Sequence, residues 1–320
     1  MRPLRLVLPV LALALVAAAP TASTAAPVPE RALEWREVFS PDGAITRVRV
    51  PVARDRPLSA SAVHAEVVPV QETGAPEARF DLVFVGDGYT GAELAAYSEH
   101  VASKWAELSA VEPFTSHARY FNVWQVNVVS PQSGVDHDPA LGELRDTALD
   151  MGFFCRGDDP ATERLLCVDQ AKARQFGALA PQADQVIALG NTAKYGGAGG
   201  GVASAAGANR QAGQIAVHEL GHSIGHLADE YDYPYDTHTG VEPSEVNVTK
   251  DPTGAKWSEY LGQPSPDGGV VGAYEGARYH LHGLYRPTQD SIMRTLGREF
   301  NSIGRDAMIA AFRTRIPELN

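Results

Sequence analysis

His218-Glu219-Leu220-Gly221-His222-Ser223-Ile224-Gly225-His226-Leu227-Ala228-Asp229-Glu230-Tyr231 (HELGHSIGHLADEY) is the most informative stretch of this chain. His218 and His222 are four residues apart. On the helix expected from about Gln211 to Ile224, both imidazoles project from one face, one turn apart, where one zinc ion can bridge them. Glu219 between them reaches a metal-bound water as general base, so the pattern points to metal-assisted hydrolysis. A zinc ion used this way takes a third protein ligand and keeps one position open. Gly225 can end the helix and turn the chain back toward the metal. Beyond it Ala228 offers no donor, and Asp229 is the nearest suitable carboxylate. His226, a further turn along, and Glu242 and Glu245, beyond the helix breakers Pro234 and Gly240, are the rivals for that place.

Upstream, Gly196, Gly197, Gly199, Gly200 and Gly201 precede Val202–Ala206. The run lacks the Gly-Lys-Ser/Thr ending of a phosphate loop, which excludes nucleotide binding on that motif. It reads as a glycine-rich edge strand beside the site, where Gly197, Gly199 and Gly200 let an extended substrate backbone approach. Phe80–Val85 reads as a buried strand ended by Gly86-Asp87-Gly88, with Asp87 as a turn residue. Residues 92–110 carry helical spacing at Leu94, Tyr97, Val101, Trp105 and Leu108. Phe121–Val129 reads as strand, 160–180 as helix and Gln185–Leu189 as strand. This alternation indicates α/β layers.

Downstream, Ser291-Ile292-Met293-Arg294 could form the methionine turn that lies beneath the metal in metzincins, although Thr295 stands where some of them carry a tyrosine. Tyr231, Tyr279 and Tyr285 are candidate oxyanion stabilisers, and Tyr285 is counted with the three glycines as substrate-binding. Asp229, Glu230, Asp232 and Asp236 form an acidic cluster that reads as calcium site or solvated surface. Asn247-Val248-Thr249 matches a glycosylation pattern and reads as ordered loop. A competing reading takes Gly221-His222-Ser223-Ile224-Gly225 as a nucleophile elbow, with Asp251 or Asp267 and His280 or His282 completing a triad. A third reading is a secreted zinc-stabilised binding protein without turnover. Intact Glu219 opposes it, because a purely structural site has no use for a base.

The chain has 320 residues, 44% hydrophobic and 21% charged, which suits a folded globular protein. Arg2 and Arg5 precede the apolar run Leu6–Ala19 and the small residues Ser23–Ala26, the layout of a secretory signal peptide. Its removal takes away two arginines and no acid, so the formal charge becomes still more negative than −12 and disfavours nucleic acid as partner. No other stretch is long enough to span a membrane. In an oxidising compartment Cys155 and Cys167 read as one local disulfide, contributing roughly 3 kcal/mol. The expected organisation is a signal peptide at 1–26, a small β-rich segment or propeptide at 27–75, and a catalytic domain at 76–320. The expected product is a secreted monomer.

Several segments resemble the IgA-peptidase-type secreted metallopeptidases, metallopeptidase family sixty-four. They are FVGDGYT (84–90), EPF with FNVWQV (112–126), KYGGAGGG (194–201), HELGHSIGHLADEY, EPSEVNVT with KW (242–257), and YRPTQDSIMR with EFN (285–301). The resemblance implies an α/β (α+β) fold: a metzincin-like zincin domain with mixed sheet, active-site helix and Met-turn at Met293. It also implies a zinc endopeptidase acting on protein or peptide, with His218, His222 and Asp229 holding Zn2+ and Glu219 as acid/base. Immunoglobulin A does not follow as substrate from the family's name.

Overall fold

The computed structural model describes residues 32–52 and 64–320. The signal-peptide expectation at 1–26 lies outside them. Leu33–Asn320 form one compact unit. In chain order the elements are β1 (Leu33–Phe39), β2 (Ile45–Pro51), β3 (Ala65–Gln71), β4 (Phe80–Asp87), α1 (Leu94–Ser109), α2 (Phe114–His117), β5 (Phe121–Val128) and α3 (Gln170–Gly177). They continue with β6 (Gln185–Gly190), β7 (Gly197–Ala198), β8 (Ala203–Ala206), α4 (Gly213–Ser223), β9 (Tyr235–Thr237), β10 (Tyr274–Ala277), β11 (His280–Arg286) and α5 (Ser302–Arg315).

The main sheet has the order β3-β5-β4-β6-β8-β7. Its β5, β4, β6 and β8 run parallel, while β3 and β7 are antiparallel edge strands, so the sheet is mixed. Every residue of β4 and of β5 is buried, as strands covered on both faces require. Asp81 Oδ1 accepts from Trp124 Nε1 at 2.6 Å and from Asn122 Nδ2 at 3.1 Å, which ties β4 to β5, while Oδ2 is buried without a partner. The helix α1 buries Tyr97, Val101, Trp105 and Leu108 of the stripe read from the sequence, leaves Leu94 half-buried, and packs on β5 and α4. Lys104 on the same face is buried and donates to Asn209 O just before α4, which ties the two helices together.

The strands β1, β2 and β3 fall in the segment 27–75 expected to be β-rich. The boundary expected near residue 76 does not separate two bodies, because β3 pairs with β5 and is part of the main sheet. Among the described residues the β1–β2 hairpin is a two-stranded sheet of its own, and β10, β11 and β9 form a separate three-stranded sheet.

The helix expected over 160–180 shrinks to α3. Leu165 and Cys167 form isolated bridges to Gly197 and Gly152, and Asp169 caps α3 by accepting from Ala171 N and Lys172 N. Leu165, Leu166 and Val168 are buried within a loop instead. Cys155 and Cys167 are joined, as the sequence suggested, and close that loop.

Asp87 is more than a turn residue. It is fully buried at the end of β4, and its carboxylate accepts from Leu149 N, Met151 N, Thr147 Oγ1 and Ser130 Oγ. Burial pushes this carboxyl above its ordinary pKa, and those four donors oppose the rise. Asp87→Ala would strand two backbone N–H groups. The expected loss is about 3 kcal/mol or more of unfolding free energy, read by urea denaturation, and a loss below about 1 kcal/mol would contradict the anchoring role.

Candidate metal centre

The helix α4 is buried almost all round and lies against β7 and β8. It ends at Ser223, and the left-handed residue of the following turn is His226, at φ 49°, where Gly225 was expected to serve. Gly225 is needed for space: a Cβ there would lie 2.8 Å from Met308 Sδ and 3.0 Å from Gly221 O. The chain then doubles back, with Leu227 N donating to Gly221 O, and delivers Asp229 beside the two histidines.

The orientation of each imidazole is fixed from behind. His218 Nδ1 donates to Ile292 O at 2.9 Å and His222 Nδ1 to Leu227 O at 2.7 Å. A carbonyl oxygen can only accept, so each ring carries its proton on Nδ1 and, when neutral, presents an Nε2 lone pair. The two Nε2 atoms are 3.1 Å apart, and Asp229 Oδ1 lies 3.4 Å and 3.3 Å from them. Zinc bonds of about 2.0–2.2 Å place tetrahedral ligands about 3.3–3.6 Å apart, so these spacings fit one ion. Asp229 Oδ1 is buried without a hydrogen-bond partner, while Oδ2 accepts from Tyr279 OH. Tyr279 thus holds the carboxylate and leaves one oxygen free.

One residue at this centre has no counterpart in the sequence reading. Glu37 on β1 places Oε2 3.5 Å from His218 Nε2 and 3.8 Å from His222 Nε2, and its Oε1 accepts from Tyr231 OH. Glu37, His218, His222 and Asp229 are the group able to hold a metal ion among the described residues.

The electrostatics favour positive charge at the centre. Burial disfavours the imidazolium of His218, yet Asp229 and Glu37 outweigh it and lift the group to about 10. Burial opposes the same rise at His222, where Asp229 and then Glu37 prevail. Burial also acts against ionised Asp229, but His222 and His218 hold it well below the usual carboxylate range. A divalent cation would supply the charge that two protons supply without it.

Glu219 points at the same place from the next helical position. Burial pushes it up to about 7, with His222 pulling down and Glu37 pushing further up. Its Oε1 is buried and unpartnered. Gly199 lies so close over this carboxyl that a Cβ would overlap it. Gly199 and Gly200 line a cavity of about 350 Å³ together with Glu37, Glu219, His222, Asp229 and Tyr279. Gly197 lies in β7, the edge strand expected from the glycine run.

Met293 is buried beneath α4, its Sδ so near Gly221 that a Cβ there would lie 2.6 Å from the sulfur. Its carbonyl accepts from Glu230 N at 2.7 Å. Glu230 is itself buried and accepts from Ser291, Asn247 and Asn301, which seats the Ser291–Met293 turn under the centre. Asn247, the glycosylation candidate, is fully buried in this network.

Other candidates lie elsewhere. Tyr285 sits in β11 opposite Glu275, exchanges backbone bonds with Thr249, and is not among the residues lining the cavity. His226 is exposed, Glu242 accepts from Lys250 N and pairs with Lys256, and Glu245 pairs with Arg278. The acidic cluster disperses, because Glu230 turns inward, Asp232 pairs with Arg294 and Asp236 is exposed. Ser223 occupies the last turn of α4 and lacks the strand-to-helix elbow a serine nucleophile needs.

No described helix is long and apolar enough to cross a membrane. The search of curated proteins gave no match. The family model for IgA Peptidase M64 matches residues 68–267 and 263–312, most of the chain and all of the segments around α4 and Met293. With a mixed-sheet α+β domain, a His-His-Asp group and that match in agreement, the chain belongs to the IgA peptidase M64 family of peptidases.

Proposed function

We propose that this chain is a secreted, zinc-dependent endopeptidase with a metzincin-like catalytic domain. His218, His222 and Asp229 are its metal ligands and Glu219 is its acid/base. The observation that carries the reading is the convergence of two oriented Nε2 atoms and an unpartnered Asp229 oxygen beside an unpartnered Glu219 oxygen. When bound, zinc supplies the Lewis acidity that polarises a carbonyl and makes water nucleophilic near neutral pH.

The chain's own groups do the rest. Glu219 Oε1 accepts the proton of the attacking water and returns it to the leaving amine nitrogen. Gly197, Gly199 and Gly200 hold the substrate backbone extended beside β7, and of the candidate tyrosines Tyr279 lines the cavity. Export rests on the layout of residues 1–26, and the disulfide suits an oxidising compartment.

Chelation tests this reading directly. Hydrolysis of unfolded casein is expected to fall to background on removal of metal with dipicolinate and to return on adding zinc, with Ser223→Ala behaving as wild type. Chelator-resistant cleavage lost in Ser223→Ala would install the serine reading instead. Absence of any chelator-sensitive cleavage, in wild type and in Glu37→Gln alike, would leave a binding protein.

A further inference from the structure

A hydrolytic zinc site keeps a position open for water, yet here a fourth donor already stands at it. Glu37 Oε2 lies 3.5 Å and 3.8 Å from the two histidine Nε2 atoms, close to the tetrahedral spacing that Asp229 Oδ1 shows. All four donor atoms lie within 4.8 Å of one another.

The carboxylate is placed by a built support. Its other oxygen accepts from Tyr231, a residue of the turn that carries Asp229. Arg36, next to it on β1, donates from Nη1 to Gly199 O and lies across Gly200, over the glycine edge that the proposed substrate would use. Beyond the site the hairpin is seated by Phe39 and Ile45 against Ile215 and Leu296, and by Val38 and Val50 against Leu165 and Ala198.

The hairpin is nevertheless not part of the main sheet. No ladder joins β1 to β7, although the two are in contact. Over the centre it is held by side chains. In a permanently closed four-ligand site Glu219, with its buried unpartnered oxygen, would have nothing to act on.

We propose that Glu37 is a fourth metal ligand supplied by the chain itself, so that the β1–β2 hairpin keeps the centre latent and peptide hydrolysis requires Glu37 to withdraw. The inference rests on His218, His222 and Asp229 being the other three ligands. Arg36 and Glu37 then occupy the cleft as an inhibitory peptide would, and the acid/base waits behind them.

The test uses the full chain loaded with Co2+, whose visible absorption reports coordination, and acetohydroxamate as probe of an open position. Glu37→Gln is expected to weaken Co2+ binding about tenfold or more and to alter its spectrum. If Glu37 withdraws in about a tenth of molecules or fewer, the same substitution tightens acetohydroxamate about tenfold or more and raises casein hydrolysis in parallel. Arg36→Ala keeps the carboxylate but removes the bond to Gly199 O. It is expected to move acetohydroxamate binding the same way by a smaller factor, and it carries the test should Glu37→Gln fail to fold. Unchanged spectra and unchanged acetohydroxamate affinity in the folded variants overturn the latch and leave the three-ligand reading standing. Co2+ binding that survives His222→Ala undiminished removes the three-ligand reading itself, and the latch with it.

Discussion

Glu219→Gln is expected to lower kcat/KM for peptide hydrolysis by about a hundred- to ten-thousand-fold while leaving metal stoichiometry at one and metal affinity within a few-fold. The substitution keeps the shape of the side chain beneath Gly199, where nothing larger would fit. It removes the one carboxyl at the centre that burial lifts to about 7, close enough to neutrality to take and return a proton. The measurement is steady-state hydrolysis with metal analysis of the same samples, in wild type and in the Glu37→Gln background. Activity within tenfold of the parent would remove Glu219 from its proposed role.

The second large effect concerns the metal itself. Structural zinc sites bind with about 10–16 kcal/mol, so each of four ligands carries roughly 3 kcal/mol, and His222→Ala or Asp229→Ala is expected to weaken zinc about a hundredfold. Competition against a chromogenic chelator measures it. Tyr279→Phe removes the hydroxyl that fixes Asp229 Oδ2 and is expected to cost less, about tenfold, because the carboxylate remains. Equal losses for Tyr279→Phe and Asp229→Ala would mean that the tyrosine does more than position. A negligible loss for Asp229→Ala would mean that Glu37, the other carboxylate at the centre, holds the metal in its place.

The parts of the site that were legible in the sequence are the local ones. His218, Glu219 and His222 share a face because a helix repeats every 3.6 residues, and Asp229 lies within one tight turn of that helix. The buried strands β4 and β5 announced themselves as apolar runs for the same local reason, since both faces are covered. Glu37 gave no such signal. It sits on a hairpin whose alternation reads only as strand, and its place at the metal comes from long-range packing of Phe39 and Ile45. Asp87 was likewise taken for a turn residue, because its four donors come from Ser130 and residues 147–151, far along the chain. The helix expected over 160–180 was too long, because Leu165 and Cys167 pair with Gly197 and Gly152, far along the chain, and only Gln170–Gly177 is helical as α3. Gly225 carried the right consequence for a different reason, since the chain turns at His226 while Gly225 makes room for Met308.

Anomalous diffraction at the zinc edge from zinc-loaded crystals tests the central claim most directly. Expected is one peak at about 2.0–2.2 Å from His218 Nε2, His222 Nε2 and an oxygen of Asp229. A peak bonded to Glu242, Glu245 or His226, or one that leaves Asp229 out of its ligand shell, would contradict it.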